Sequence, residues 1–176
     1  MDHYSKARRE GLRVYQNAIQ SNTDPYLPVL EERVPALSSL SRLSLGIMTI
    51  SLDRVIGSVS RGRSYAFANG FMPILEGGSE FASKWEHLCE SVEAKGVNQP
   101  ITVLEYMGYY YVIEGNKRAS VMKYLDARAE GKCKDSDLCQ MDGTSRTEET
   151  PAAAPAPRAL TAALWAGFGG RIRCSA

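Results

Sequence analysis

Histidine is scarce in this chain: His3 and His87 are the only two. Four cysteines are present, Cys89, Cys133, Cys139 and Cys174, but no two of them form a Cys-x-x-Cys pair, and no histidine lies near Cys133 or Cys139. A structural zinc site draws on four nitrogen or sulfur ligands at short spacing, so the sequence does not supply one. Cys89 falls within a helical pattern and reads as a small buried hydrophobe. No apolar run approaches the roughly 20 residues that span a bilayer. The first ten residues, Met-Asp-His-Tyr-Ser-Lys-Ala-Arg-Arg-Glu, lack the apolar stretch of a secretory signal. The expected compartment is the cytoplasm, with no membrane partner. Charge of one sign is also missing. The formal net charge is +1, so any polyanion must be met by a local patch. What remains is a length of 176 residues, enough for one domain with a core plus extensions.

Residues 2–20 have helical periodicity. Tyr4, Ala7, Gly11, Val14 and Ala18 fall on one side, and Lys6, Arg8, Arg9 and Arg13 make the helix basic. That charge reads either as a solvated face or as a nucleic-acid contact. Ser21-Asn22-Thr23-Asp24-Pro25 stops the helix. Residues 26–37 carry two prolines, directly after Pro25, and are expected to wrap the domain, with one short helix near Leu30. Met48, Ile50 and Leu52 alternate with Thr49 and Ser51, which predicts a strand at about 46–52. Asp53 to Ser79 reads as a long glycine-rich loop carrying Arg54, Arg61 and Arg63, with a helical turn somewhere between Ala66 and Leu75.

The clearest helix runs from Glu80 to Lys95. Ser79 can cap it, Phe81, Trp85, Leu88 and Val92 form its apolar stripe, and Gly96 ends it. Pro100 opens a strand over Ile101–Tyr106. Met107-Gly108 turns the chain, and Tyr109–Ile113 returns as a second strand. The three adjacent tyrosines read as cross-strand packing or as a stacking surface for bases. Asn116 to Ala127 is the next helix. Helix, strand, loop, helix, strand, strand, helix is an α+β order.

The polar groups concentrate where the second hairpin strand meets that last helix, at Glu114-Gly-Asn-Lys-Arg118. Free N–H groups at a helix start, beside two cations, make an anion site. Gly115 allows a tight turn and close backbone approach to a ligand. Asn116 can cap the helix and donate to an oxygen. Lys117 supplies a point charge, and Arg118 can hold phosphate through two parallel hydrogen bonds. Glu114 reads two ways, as a catalytic base or Mg²⁺ ligand through the phosphates, or as an ion-pair partner of a nearby arginine.

After about residue 129 the character changes. Asp135–Thr150 is polar and aperiodic, and Pro151–Pro157 is alanine and proline of low complexity. Residues 129–176 are expected to be a disordered tail, or the aberrant product of a shifted frame. No helix-turn-helix pattern follows the central region.

The stretch from Trp85 to Ala127 resembles the N-terminal domain of the ParB/sulfiredoxin superfamily. The resemblance rests on a helix ending in Gly96-Val97, then Gln99-Pro100-Ile101, a hairpin, and Tyr-Val-Ile-Glu-Gly-Asn-Lys-Arg, closed by an amphipathic helix. Ile50-Ser-Leu-Asp-Arg-Val55 looks like the strand that opens that domain. The resemblance implies a mixed sheet with flanking helices over residues 46–128, preceded by an N-terminal helical extension over 1–45. ParB proteins carry Gly-Glu-Arg-Arg at the turn and bind CTP there; sulfiredoxins carry Gly-Cys-His-Arg and use the cysteine as nucleophile. Asn116 stands at the cysteine position, and an amide cannot act as a thiolate, which excludes sulfiredoxin activity. The implied function is a nucleotide-binding module, regulatory or DNA-associated. It would hold CTP or ATP with Mg²⁺ over Gly115, Asn116, Lys117 and Arg118, with Arg61 or Arg63 closing from the loop. The alternatives are a phosphoryl-transfer or nuclease enzyme using Glu114, and an inactive truncated domain.

Overall fold

A computed structural model of the chain describes residues 2–97 and 99–134, and the short segments 158–160 and 171–173. Helix α1 (His3–Gln20) is followed by a short α2 (Leu30–Arg33), β1 (Thr49–Ser51) and β2 (Val55–Ser58). Then come α3 (Glu80–Lys95), the hairpin β3 (Thr102–Tyr106) and β4 (Tyr109–Glu114), and α4 (Asn116–Lys134). The fold is α+β, as the order of elements implies.

Its centre is a mixed sheet in the order β2–β4–β3, with β2 parallel to β4 and β3 antiparallel to it. Tyr106 pairs with Tyr109 across a two-residue turn, and Met107 and Gly108 both have positive φ, 53° and 81°. Such turns match the twist of the two strands. Two short segments add edges: β5 (Arg158–Leu160) lies antiparallel to β3, and β6 (Arg171–Arg173) lies antiparallel to β1. The expectation for the rest of the tail beyond residue 134 lies outside the described residues.

Side chains alternate between the two faces of the sheet. Val103 and Val112, paired in register, point into a core with Ile101, Ala119, Met122, Phe67 and Phe71. Leu104 and Tyr111, also paired, point the other way and are covered by Leu30, Leu37 and Val59. The proline-bearing segment after α1 therefore closes the second face of the sheet. A third cluster joins α1 to the helices of the first face through Tyr4, Ala7, Trp85, Cys89, Val121 and Tyr124. Trp85 is fully buried, and its indole N–H donates to the Ser120 hydroxyl at 2.8 Å.

Some boundaries differ from the sequence reading. The strand expected at 46–52 forms only over Thr49–Ser51. The region expected as one loop from Asp53 to Ser79 contains strand β2, which pairs in parallel with β4, and a 3-10 turn over Arg61–Ala66. Strand β2 is short and interrupted by Gly57, which hides its period. Gly57 is needed there because a Cβ would stand 2.4 Å from the Pro28 carbonyl oxygen. The wrapping segment crosses so close that Ser58 N–H donates to that same carbonyl at 2.9 Å. Instead of a helical turn between Ala66 and Leu75, Phe67 bridges Pro73. Helix α4 continues past Ala127 to Lys134. Among the described residues no helix is long and apolar enough to cross a membrane.

Candidate functional site

The Glu114–Arg118 turn sits where the central strand β4 passes directly into α4. Gly115 has φ 104°, outside the range open to side-chain-bearing residues, and a Cβ on it would stand 2.6 Å from Ile101 Cγ2. Its carbonyl accepts from Ala119 N–H at 2.9 Å, so the helix begins at once. The next N–H groups have no intrahelical acceptor and point out of the helix start.

The predicted residues around this turn have different surroundings. Asn116 turns its carboxamide inward. Nδ2 donates to Ser58 Oγ at 3.4 Å, and Ser58 Oγ donates in turn to the Val112 carbonyl at 3.2 Å. Asn116 Oδ1 is buried and has no hydrogen-bond partner, leaving an acceptor beneath the turn. Arg118, with 18% of its side chain exposed, donates through one terminal nitrogen to the Pro100 carbonyl. Its other terminal nitrogen lies 3.8 Å from Glu114 Oε1. A guanidinium carries five N–H donors, so donors remain for a ligand. Glu114 is 79% exposed on its side chain.

Lys117 Nζ stands 4.8 Å from the centre of the Phe81 ring. Its pKa is lowered, first by burial and then by the positive charges of Lys84 and Arg63, with Glu80 opposing. Arg63 thus contributes positive potential at Lys117; it is exposed and, among the described residues, has no ion pair. Arg61 is committed elsewhere. Its guanidinium is bound by both oxygens of Glu32, lies 4.0 Å from Asp24 and packs over Tyr65. The pKa of Glu32 is lowered chiefly by that hydrogen bonding. The structure therefore gathers Gly115, Asn116, Lys117, Arg118 and Glu114 at one turn with the field of Arg63 behind them, and turns Arg61 toward the N-terminal segment.

Sequence reasoning missed Ser58, Ile101, Phe81 and Lys84 as neighbours of the turn. Ser58 had no signal, since its strand went unread. Phe81 and Lys84 lie on α3 three residues apart, and only the packing of α3 beside α4 brings them to Lys117.

Among the described residues no group of three or more His, Cys, Asp or Glu side chains gathers as for a metal. Glu114 offers a single carboxylate, so a Mg²⁺ here would take most of its ligands from phosphate oxygens and water, as this ion commonly does. The donors of the turn suit the same phosphates.

Comparison with curated proteins and with solved structures returned no match. A family model does match: residues 80–137 correspond to the ParB N-terminal domain. That span contains α3, the β3–β4 hairpin, the Glu114–Arg118 turn and α4, and the match is consistent with a ParB-like domain of the ParB/sulfiredoxin-like superfamily.

Proposed function

We infer that the Glu114–Arg118 turn binds the phosphates of a nucleoside triphosphate, and that the domain serves as a regulatory, DNA-associated module. The observation that carries this is Gly115 at φ 104°, a tight turn open to glycine that launches α4 directly from a central strand with Lys117 and Arg118 in its first turn. The helix start supplies N–H donors and the positive end of the helix dipole. Arg118 is already fixed by the Pro100 carbonyl, so little side-chain entropy is lost when its remaining donors meet phosphate. The family match spans this turn and supports the ParB-like, DNA-associated part of the reading.

One observation favours a second reading. Glu114 is largely exposed beside these donors, open to a metal-bound phosphate, and could serve in phosphoryl transfer or nuclease chemistry with Mg²⁺.

The test is titration with CTP, ATP and GTP in the presence of Mg²⁺, followed by thermal shift and phosphate release. Stabilisation by at least one nucleotide is expected, and it should be lost in Arg118→Ala. Binding that survives that substitution unchanged would move the site elsewhere. Turnover lost in Glu114→Gln with binding kept would establish the enzymatic reading. No stabilisation by any nucleotide would leave an inactive domain.

A further inference from the structure

Helix α1 lies outside the matched residues 80–137, and its buried and exposed sides differ sharply. Tyr4, Ala7 and Gly11 are buried against the domain. The opposite arc carries Lys6, Arg9, Arg13, Gln16, Asn17 and Gln20, all exposed. At 100° per residue these six fall within about one hundred degrees of arc, and each can donate hydrogen bonds. Among the described residues Lys6, Arg9 and Arg13 form no ion pair. Neither of the carboxylates nearby, Asp2 and Glu10, pairs with them among the described residues. Asp2, at the end of the row, accepts from Ser5 N–H and caps the helix, and Glu10 sits half-buried at its margin.

The row is also rigidly presented. Glu86 accepts from the His3 and Tyr4 N–H groups at 2.9 and 2.6 Å, and the Leu75 carbonyl accepts from Tyr4 Oη at 2.8 Å and Arg8 Nε at 2.7 Å. A floppy basic tail would lose ordering entropy on binding; this helix is ordered already.

We propose that the exposed face of α1 is a docking surface for the phosphate backbone of duplex DNA. Lys6 to Arg13 spans about 10 Å at 1.5 Å per residue, which is the axial length of roughly three phosphates of one strand. The row contacts backbone and reads no sequence. An anionic membrane is the poorer fit. A helix lying in a bilayer interface needs an exposed apolar face, whereas the apolar face of α1 is used by the core, leaving Ile19 as its one large exposed hydrophobic. This inference rests on the DNA-associated part of the functional reading and is independent of nucleotide binding at the turn.

The experiment is fluorescence anisotropy of a labelled duplex of arbitrary sequence over a salt series, with the full chain. The variant K6Q/R9Q/R13Q is expected to bind about tenfold or more weakly at low salt, and to lower the slope of log affinity against log salt by about one per residue removed. A control, R42Q/R54Q/K95Q, removes the same charge from exposed positions elsewhere and should bind nearly as wild type. The charge-keeping variant K6R/R9K/R13K should retain binding, and thermal melting should place all variants close to wild type. Equal loss in the α1 and control variants would overturn the proposal in favour of a diffuse charge effect. Unchanged binding by K6Q/R9Q/R13Q would overturn it while leaving DNA association intact. Loss of binding to phosphatidylserine vesicles alone, with DNA binding kept, would overturn it in favour of a membrane. A wild-type chain that binds no duplex would remove both this inference and the DNA-associated reading, and the nucleotide titration would still report on the turn.

Discussion

Replacing Gly115 with alanine should be strongly destabilising. Two effects combine. The residue would keep a φ of 104°, which an alanine holds only under strain of about 1–3 kcal/mol. Its new methyl would also stand 2.6 Å from Ile101 Cγ2, well inside the roughly 3.5–4.0 Å at which carbon atoms pack. Ile101 is fully buried and cannot swing into solvent, so the overlap must be relieved by displacing packed neighbours, at about 1–3 kcal/mol. The sum, about 2–6 kcal/mol, is a large share of the roughly 5–15 kcal/mol that holds a domain folded. Urea denaturation monitored by tryptophan fluorescence would measure it. The two parts separate in a double-mutant cycle. Ile101→Ala removes Cγ2 and is itself costly, about 2–5 kcal/mol, yet in that background Gly115→Ala should lose most of its steric part, keeping the backbone strain and the looser 3.2 Å contacts with Ile101 Cβ and Arg118 Nε. A Gly115→Ala cost below about 1 kcal/mol would refute the argument that this turn requires glycine. An equal cost in both backgrounds would refute the clash with Ile101.

Other expectations follow from the same packing. Ser120→Ala strands the buried Trp85 indole N–H and should destabilise by about 1–3 kcal/mol, with much less additional loss when made in Trp85→Phe. Glu86→Ala leaves the first α1 N–H groups without their acceptor. About 1 kcal/mol is expected to be lost, with faster amide exchange confined to α1. The Cys89 thiol is pushed up to about 12 by burial, from an ordinary 9.0. The unfolded chain therefore releases this proton at lower pH than the native one, so the contribution is intact below pH 9.0 and is lost as pH rises toward 12. Tyr4 adds the same trend from 10.0 upward, its phenol also raised to about 12, chiefly by burial. Cys89→Ala should flatten the first part of that alkaline decline in denaturation curves, and Cys89 should not react with a thiol reagent until the protein unfolds.

The hairpin, α3 and the turn were legible because local chemistry and tertiary context agree there. Ser79 caps α3 through Ala82 N–H at 3.1 Å, Gly96 ends it, and Met107-Gly108 takes the positive φ values that a two-residue hairpin requires. Strand β2 was not legible. Val55–Ser58 is too short to display a period, and Gly57 reads locally as a loop residue. Its reason is long-range, the crossing of Pro28 overhead. The surroundings of the turn were legible in part for the same reason. Gly115, Lys117 and Arg118 declare themselves by spacing along one segment. The commitment of Arg61 to Glu32 and the burial of the Asn116 carboxamide above Ser58 depend on contacts spanning 29 and 58 positions. No local pattern encodes those.

The placement of α4 links the two binding readings physically. Its first residue faces the sheet through Asn116 and Ser58, and its fourth helical turn meets α1, where Arg128 donates to Glu93 at 3.1 Å and contacts His3 at 2.9 Å. Glu93 also lies 3.3 Å from His3 Nε2. The Glu114–Arg118 turn and the basic helix are therefore attached to opposite ends of one packed element, bridged by α3. A ligand that tightens the N-terminus of α4 can change the docking of α1 only if this helix moves as a body, because interiors this closely packed do not deform smoothly. The polar contacts at the α1 end are partly exposed and individually weak, whereas the apolar contacts of Tyr4, Trp85 and Tyr124 beneath them are buried. Any coupling between nucleotide and DNA would thus depend on the aromatic cluster rather than on the ion pairs, and substitution of Glu93 should leave it largely intact while substitution of Trp85 should not.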